Sequence, residues 1–394
     1  MSGTSISAAE SELIALVKQI FGTPTIPLHR PVFEGNERAY LINCIESNYV
    51  SSVGEKVLSF EREVARFVNA EYSVATVNGT SALHTALLIA GTRSGDEVLT
   101  QALTFVATCN AISYTGARPV FIDVDKDTLG MSPRALRTWL EANTKQVNGR
   151  TINIWTGARV SSCLPMHTFG LPCRIKEIAE ICDEFGIFLI EDAAESLGSF
   201  VGSKHTGTYG KLSAFSFNGN KIITTGGGGM IVTNDPELAA KAKHITTTAK
   251  IPHSYDFFHD EIGYNYRLPN LNAALGCAQM EKLEAILAIK AEVADQYRKF
   301  CADNGLIFLD APADTEPNFW INGIILENKN ARDAFLNISN AVGVMSRPIW
   351  RLMSDLPMFR DCQDDGLENS RWLADRVVNL PSSVPNSELH RLKY

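Results

Sequence analysis

Short β-branched segments alternate with helical segments between residues 73 and 233. The candidate strands are SVATV (73–77), EVLT (97–100), PVFIDV (119–124), VSSCLPM (160–166), IFLIED (187–192), SAFSF (213–217) and GMIVT (229–233). The segments between them carry apolar residues at helical spacing. Strands that alternate with helices form mostly parallel sheets covered on both faces. We therefore predict an α/β fold whose large domain contains a mixed, mostly parallel seven-stranded sheet.

The hydrophobic pattern changes near residue 271, where a long helix or a helix pair begins. Farther along, WINGIIL predicts a strand and ARDAFLNISNAVG predicts a helix. A chain of 394 residues is long enough for two domains. We expect a helical segment over residues 1–30 that packs on the small domain, a large domain over 31–270, and a smaller α+β domain over 271–394. The polar segment 142–159 is expected to form a surface hairpin.

Charge and composition disfavour several classes of protein. The formal net charge of −8 argues against a nucleic-acid-binding protein, which usually has a basic face. No apolar run reaches the ~20 residues that span a bilayer, so we expect no membrane partner. The N-terminus lacks a signal-peptide pattern, and the 8 cysteines are scattered without regular spacing. Reduced thiols and a cytoplasmic location are the expectation.

A zinc site is disfavoured by the spacing of its candidate ligands. These ligands would be Cys163, His167, Cys173 and Cys182. Their intervals match no standard structural zinc site, and Cys182 falls in the middle of a predicted helix. We expect no bound metal.

An anion-binding sequence follows the first predicted strand. Asn78, Gly79, Thr80 and Ser81 lead directly into a helix. The free N–H groups of a helix N-terminus, two hydroxyl groups and a glycine that admits close approach together suit an anion. The alternative is that Thr80 or Ser81 only caps the helix.

Charged groups follow two later strands of the predicted sheet. Asp192 comes after IFLI, next to Glu191, and Lys221 lies five residues beyond Ser216. The carboxyl ends of parallel strands meet at one edge of a sheet, where ligands bind. No GxxxxGK[ST] loop accompanies the acidic pair, and no strand-to-helix turn carries GxGxxG. Neither a Walker-type magnesium site nor a nicotinamide or flavin site is therefore indicated.

Pyridoxal 5′-phosphate is one small molecule that needs all of these groups. Its phosphate would bind at Gly79–Ser81 and at Ser216, and Asp192 would keep the ring nitrogen protonated. Phe105 would stack on the ring, although core packing is the alternative for a lone phenylalanine. Lys221 would bind the cofactor through its amine. No GxSxG elbow points to a serine hydrolase instead.

Five motifs together resemble one family. They are NGTSA (78–82), TFVAT (104–108), EDAA (191–194), SFNGNK (216–221) and GYNYRL (263–268). From about residue 28 to residue 383 the chain resembles the DegT/DnrJ/EryC1/StrS sugar aminotransferases, which are fold-type I pyridoxal-phosphate enzymes. The resemblance implies that Lys221 binds the cofactor covalently, that Asp192 pairs with its ring nitrogen and that Phe105 stacks on it. Phosphate binding by Thr80, Ser81 and Ser216 is also implied.

Further residues are implied by the same resemblance. Glu195 would lie near the 3-hydroxyl group of the cofactor, and His167 would line the pocket beside it. Asn265 would reach the phosphate of the neighbouring subunit, which implies a homodimer with shared sites. Near the end of the chain, SRPIWR offers three residues that could contact the phosphates of a sugar nucleotide or form surface ion pairs. These are Arg347, Trp350 and Arg351.

The substrate expectation depends on a narrower resemblance. HTFGLP, HITTTAK and EIGYNYRLPN are similar to a branch of the bacillosamine and legionaminic acid pathways. This implies transfer of the amino group of L-glutamate to C4 of UDP-2-acetamido-2,6-dideoxy-hexos-4-ulose, giving a 4-amino sugar for a surface glycan. A GDP-4-keto-6-deoxymannose 4-aminotransferase of the perosamine synthase type and a non-catalytic regulatory protein remain alternatives. Sugar dehydratases carry histidine in place of Lys221 and are disfavoured.

One residue departs from the family pattern. Where many relatives read TTGEGG after the lysine, this chain reads TTGGGG, so Gly227 replaces a glutamate. No carboxylate role can be expected at this position.

Overall fold

The computed structural model describes residues 6–393. The strands, in chain order, are β1 (Tyr72–Thr76), β2 (Glu97–Gln101), β3 (Arg118–Ile122), β4 (Thr144–Val147), β5 (Arg150–Asn153), β6 (Val160–Leu164), β7 (Phe188–Asp192), β8 (Phe200–Val201), β9 (Lys204–His205), β10 (Leu212–Ser216), β11 (Gly229–Thr233), β12 (Ile307–Phe308), β13 (Thr315–Glu316), β14 (Asn322–Ile325), β15 (Arg347–Pro348) and β16 (Val377–Leu380). The α-helices are α1 (Ala8–Phe21), α2 (Glu37–Glu46), α3 (Glu55–Val68), α4 (Gly79–Ile89), α5 (Val106–Tyr114), α6 (Pro133–Asn143), α7 (Ile175–Phe185), α8 (Pro236–Thr246), α9 (Asn270–Met280), α10 (Leu283–Asn304), α11 (Lys329–Ala341) and α12 (Glu368–Ala374).

A seven-stranded sheet forms the centre of the molecule. Its strand order is β1-β11-β10-β7-β6-β2-β3. The neighbours from β10 to β3 run parallel, whereas β11 is antiparallel to both β1 and β10. The predicted mixed, mostly parallel sheet is confirmed, and all seven candidate strands belong to it. Their apolar runs are buried because helices cover both faces of such a sheet.

Local capping signals determine where several helices begin. The hydroxyl of Ser132 accepts a hydrogen bond from the N–H of Ala135 at the start of α6, and Asp235 accepts one from Glu237 at the start of α8. At α4 the alternative interpretation, in which Thr80 or Ser81 only caps the helix, is wrong. The helix begins one residue earlier, at Gly79, and the side chain of Asn78 caps it by accepting from Ser81.

The polar excursion and the helix pair both form as the sequence predicts. Strands β4 and β5 pair antiparallel over residues 144–153 and make a surface hairpin. The long helical stretch after residue 270 divides into α9 and α10 at residues 281–282. No helix within the described residues is long and apolar enough to cross a membrane.

A second, four-stranded sheet lies in the C-terminal part of the chain, in the order β12-β14-β16-β15. Helices α1 and α10 pack against this sheet, with Leu13, Val293 and Ile324 in one buried cluster. Helix α9, in contrast, packs on α2 and α3, and a Cβ at Gly276 would lie only 2.7 Å from the ring of Phe60. Helix α9 belongs to the expected small domain but contacts α2 and α3, which belong to the expected large domain. The domain boundary at residue 270 therefore stays a prediction.

Candidate active site

The carboxyl ends of β1, β2, β7 and β10 open onto one cavity of about 360 Å³. Its lining includes eight of the residues singled out in the sequence, which are Gly79, Thr80, Phe105, Asp192, Glu195, Ser216, Lys221 and Trp350. These residues come from distant parts of the chain. They meet because parallel strands end at a common edge.

The amine of Lys221 is held by two neighbours. Its Nζ lies 3.1 Å from Oε1 of Glu195 and 4.1 Å from the centre of the Trp320 ring. The indole N–H of Trp320 donates to the carbonyl oxygen of Asn220 at 2.6 Å. A carboxylate and an aromatic face both attract an ammonium group, so the position of the amine is restricted. Trp320 carried no signal in the sequence, because it lies about 100 residues beyond Lys221.

The carboxyl group of Glu195 is buried beside this amine. Its Oε2 accepts a hydrogen bond from the N–H of Phe169 at 2.9 Å. Burial raises the pKa of Glu195 to about 7, although Lys221 and this hydrogen bond oppose the rise. A carboxyl group with a pKa near 7 can hold or release a proton at neutral pH.

Asp192 is a fixed hydrogen-bond acceptor in the floor of the cavity. Oδ2 accepts from the hydroxyl of Thr108 at 2.7 Å, and Oδ1 accepts from the N–H of Ala194 at 3.2 Å. Burial raises the pKa of Asp192, whereas these two hydrogen bonds and Lys221 lower it. Thr108 was not singled out in the sequence, although it lies in the TFVAT motif and its side chain reaches Asp192 from the first turn of α5.

The N-terminus of α4 and the end of β10 approach closely. An ideal Cβ at Gly79 would lie 2.9 Å from Cβ of Ser216, so any side chain at position 79 would fill the space between them. The first N–H groups of a helix have no intrahelical acceptor, and at α4 the side chain of Asn78 accepts a hydrogen bond only from the N–H of Ser81. The other N–H groups of this first turn and the hydroxyl groups of Thr80 and Ser216 together form an anion cradle.

The cavity therefore fits pyridoxal phosphate by the chemistry of its groups. The anion cradle suits the phosphate, Asp192 suits a protonated ring nitrogen, and Phe105 offers an exposed aromatic face. Lys221 supplies the amine. These four features surround a single cavity.

The prediction that His167 lines the cavity is wrong. The side chain is fully buried, with Nε2 3.0 Å from Oε2 of Glu191, and its Nδ1 accepts from the N–H of Cys173 at 3.2 Å. Glu191 also accepts from the N–H groups of Gly207, Tyr209 and Gly210. Both ring nitrogens are thus occupied in a buried network behind Asp192. The sequence placed His167 at the correct strand end but could not show which way its ring points.

The remaining candidate residues lie outside this cavity. Ser81 is buried in the first turn of α4, and Asn265 is exposed, so its role depends on a neighbouring subunit and stays a prediction. Arg347 and Arg351 line an adjoining cavity, whose wall Trp350 also forms.

The glycine run after Lys221 contains positions with opposite steric demands. A Cβ at Gly229 would lie 2.3 Å from the carbonyl oxygen of Asn78, whereas a Cβ at Gly227 meets nothing closer than the carbonyl oxygen of Val77 at 3.8 Å. We expect Gly229→Ala to lower the free energy of unfolding by about 1–3 kcal/mol, as overpacking does. Gly227→Ala should change it by less than about 0.5 kcal/mol. Denaturant unfolding of both variants measures the difference, and equal losses would contradict the expectation.

Comparisons with known proteins agree with this chemistry. A sequence model of the DegT/DnrJ/EryC1/StrS aminotransferase family matches residues 32–389. The GDP-perosamine synthase of Escherichia coli O157:H7 is 35% identical over 369 residues, which cover 92% of this chain and 95% of that protein. The GDP-perosamine synthase of Vibrio cholerae is 34% identical over 91% of this chain and 94% of its own length. A DegT DnrJ EryC1 StrS aminotransferase from Brucella abortus superposes with a TM-score of 0.81 at 26% identity, covering 91% of this chain and 93% of that one.

Proposed function

The chain belongs to the DegT/DnrJ/EryC1/StrS aminotransferase family of pyridoxal-phosphate enzymes, and we propose that it transfers the amino group of L-glutamate to C4 of a nucleotide-linked 4-keto-6-deoxy sugar. The observation that carries the proposal is the placement of Lys221. Its amine lies 3.1 Å from the Glu195 carboxyl group, in a cavity that also holds Asp192 and the anion cradle.

Each group of the cavity has a distinct part in this reaction. When bound, pyridoxal phosphate supplies a ring that accepts the electron pair left by a broken C–H bond. Gly79, Thr80 and Ser216 would hold its phosphate, and the carboxylate of Asp192 would favour the protonated ring nitrogen. Phe105 would pack on one face of the ring.

Lys221 and Glu195 would handle the protons. The Lys221 amine would take a proton from the amino acid and later deliver it, since an amine can act as a general base and then as a general acid. Glu195, with a pKa of about 7, would share that proton near neutral pH. Trp320 would keep the amine in place through its ring face.

Two nucleotides are candidates, and each has its own support. The relatives named GDP-perosamine synthase support GDP-4-keto-6-deoxymannose. The motifs HTFGLP, HITTTAK and EIGYNYRLPN support UDP-2-acetamido-2,6-dideoxy-hexos-4-ulose. The product in either case would be a 4-amino sugar for a surface glycan.

The proposal is tested by offering both keto sugars to the holoenzyme with ¹⁵N-labelled L-glutamate. We expect the label to appear at C4 of one of them, which NMR of the isolated product identifies. Formation of 2-oxoglutarate without label in either sugar would show that the substrate class is wrong.

A homodimer with shared sites is also part of the proposal. Large apolar side chains are exposed in two segments, residues 33–58 and 251–262, and exposed apolar patches mark interaction surfaces. The second segment leads directly to Asn265, which would then reach the phosphate of a partner subunit. Sedimentation equilibrium measures the oligomeric state, and a monomer at micromolar concentration would contradict this part.

A further inference from the structure

The two neighbours of the Lys221 amine come from segments that lie far apart in the chain. Glu195 follows strand β7, whereas Trp320 lies just before strand β14. The amine is restricted only while the carboxyl group and the indole ring keep their positions relative to each other. The residue that joins the two segments is Asn318, two residues before Trp320.

The side-chain amide of Asn318 binds both segments. Its Nδ2 donates to the carbonyl oxygens of Glu195 at 2.8 Å and of Leu197 at 2.9 Å. Its Oδ1 accepts from the N–H of Trp320 at 2.8 Å. Asn318 is only 2% exposed, so these bonds lie in the protein interior, where water does not compete for them. One buried amide therefore fixes the backbone of Glu195 relative to that of Trp320.

The segment at Phe169 and Gly170 is shaped around this amide. Gly170 has a φ of +87°, and an ideal Cβ there would overlap Oδ1 of Asn318 and lie 3.0 Å from the carbonyl oxygen of Glu195. The hydroxyl of Ser199 donates to the carbonyl oxygen of Gly170 at 2.7 Å and accepts from the N–H of Asn318 at 3.0 Å. The N–H of Phe169, next to Gly170, holds the carboxyl group of Glu195. The amide and the carboxyl group are thus anchored by one segment.

Trp320 is also held at its carbonyl end and at its ring. The Nζ of buried Lys290 donates to the carbonyl oxygen of Trp320 at 3.2 Å and to that of Ser382. The indole N–H is bound to the carbonyl oxygen of Asn220, the residue before Lys221. With the bond from Asn318, the backbone of Trp320 is fixed on both sides of its Cα. Its ring therefore stays over the amine.

We propose that Asn318 is a positioning residue for the chemistry of Lys221, because its amide keeps Glu195 and Trp320 at the distances that hold the amine in place. Asn318 is not among the residues that line the cavity, so it acts through these two neighbours. A displacement of ~1 Å in a catalytic site can cost about 10²-fold in rate. The inference rests on the proposed function, in which the Lys221 amine transfers the proton.

Asn153, the last residue of β5, offers a matched control. It is also buried, and its Nδ2 donates to Oε2 of Glu97 and to Oε1 of Gln363, both at 2.8 Å. Its Oδ1 accepts from the N–H of Trp155, again a tryptophan two residues later, at 3.0 Å. Asn153 lies outside the cavity lining. Replacing either asparagine removes the same kind of buried amide, so a difference between the variants reports the site.

The first measurement is single-turnover reaction of the holoenzymes with L-glutamate, over a range of glutamate concentrations. We expect Asn318→Ala to lower the limiting rate about 10- to 100-fold, with the half-saturating glutamate concentration unchanged, because the reacting amine is displaced. Asn153→Ala should leave both quantities unchanged. Both variants should lower the melting temperature by similar amounts, because each loses three hydrogen bonds of a buried amide.

The second measurement needs no substrate. The full-length, cofactor-free chain is labelled with acetic anhydride, and peptide mass spectrometry compares Lys221 with exposed Lys211 in the same sample. In Asn318→Ala the labelling of Lys221 relative to Lys211 should rise at least about threefold, because the charge-assisted hydrogen bond to Glu195 is weakened. In Asn153→Ala the ratio should equal that of the wild type.

Asn318→Ser is a milder variant that decides the question if Asn318→Ala does not fold. A serine hydroxyl can still accept from the N–H two residues later, so the bond to Trp320 can be kept. The shorter side chain loses the bonds to the carbonyl oxygens of Glu195 and Leu197. We expect the limiting rate to fall about three- to tenfold, the usual effect of a lost buried hydrogen bond.

Three outcomes would overturn the inference. They are an unchanged limiting rate or unchanged labelling of Lys221 in the folded Asn318 variants, an equal loss of rate in Asn153→Ala, and an effect confined to the half-saturating glutamate concentration. If the wild-type holoenzyme does not react with glutamate, the proposed function fails. Labelling of Lys221 then still decides the inference, since a raised ratio supports the positioning role and an unchanged ratio overturns it.

Discussion

Replacement of Lys221 by alanine should lower the rate of amino transfer by at least about 10³-fold. Proton transfer by a positioned side chain contributes ~10²–10⁴-fold, and covalent attachment of the cofactor adds to this. The amine has no substitute in the cavity, because Lys221 is the only lysine that lines it in the described chain. The rate is measured as transfer of ¹⁵N from glutamate to the keto sugar under multiple turnover.

The same variant should still bind pyridoxal phosphate. Gly79, Thr80 and Ser216 are unchanged by it, so the phosphate keeps its binding groups. Borohydride treatment followed by peptide mass spectrometry should find the cofactor on Lys221 in the wild type and on no peptide of the variant. Lys211→Ala is a matched control, because Lys211, like Lys221, contacts an aromatic ring, that of Phe188, but is exposed. Sustained multiple turnover by Lys221→Ala would contradict the assignment.

Replacement of Asp192 by asparagine should lower the rate of amino transfer by roughly 10²–10³-fold, the usual effect of losing one preorganised electrostatic contact. Asparagine has almost the same shape: its Oδ1 can still accept from the N–H of Ala194, while its NH₂ group would donate to the hydroxyl of Thr108. The negative charge is lost, and with it the stabilisation of a protonated ring nitrogen. Single-turnover measurements with glutamate isolate the step that depends on this charge.

Thr108→Val tests the same carboxylate with a smaller expected effect. The carboxylate remains but loses the hydroxyl that donates to it at 2.7 Å, so a loss of about five- to tenfold is expected. Asp192→Asn should unfold at a temperature close to that of the wild type, because a buried charge is costly and its pKa is already raised by burial. Thr108→Val leaves the buried carboxylate without one donor and should lower the free energy of unfolding by about 1–3 kcal/mol. Full activity of Asp192→Asn would show that the carboxylate does not face the cofactor.

Much of the fold could be predicted because the sheet imposes a strong pattern on the sequence. Strands buried on both faces need continuous apolar, β-branched runs, and all seven such runs became strands of the central sheet. The helix starts at Ser132 and Asp235 also follow from local hydrogen bonding. Positions such as Gly79, Asp192 and Lys221 could be placed together for the same reason, since each follows a strand of one sheet.

Side-chain direction and long-range contacts could not be predicted. Asp192 and Glu191 are neighbours, yet one faces the cavity and the other anchors the backbone of residues 207–210. His167 points into the same buried network and away from the cavity. Successive side chains of a strand point to opposite faces of the sheet. Beyond the end of the strand the backbone is irregular, so the sequence pattern no longer predicts the direction of a side chain.

By itself, the sequence determined the α/β architecture, the family and the group of residues that meet at the ends of the strands, because these depend on local hydrophobic pattern and on motifs. Only the tertiary structure decided which partners hold Lys221, that His167 is excluded from the cavity, and that the amide of Asn318 joins Glu195 to Trp320. Asn318 and Glu195 are 123 residues apart in the chain. Their contact exists because the segment before β14 packs against the segment after β7, and packing between distant segments leaves no periodic trace in a sequence.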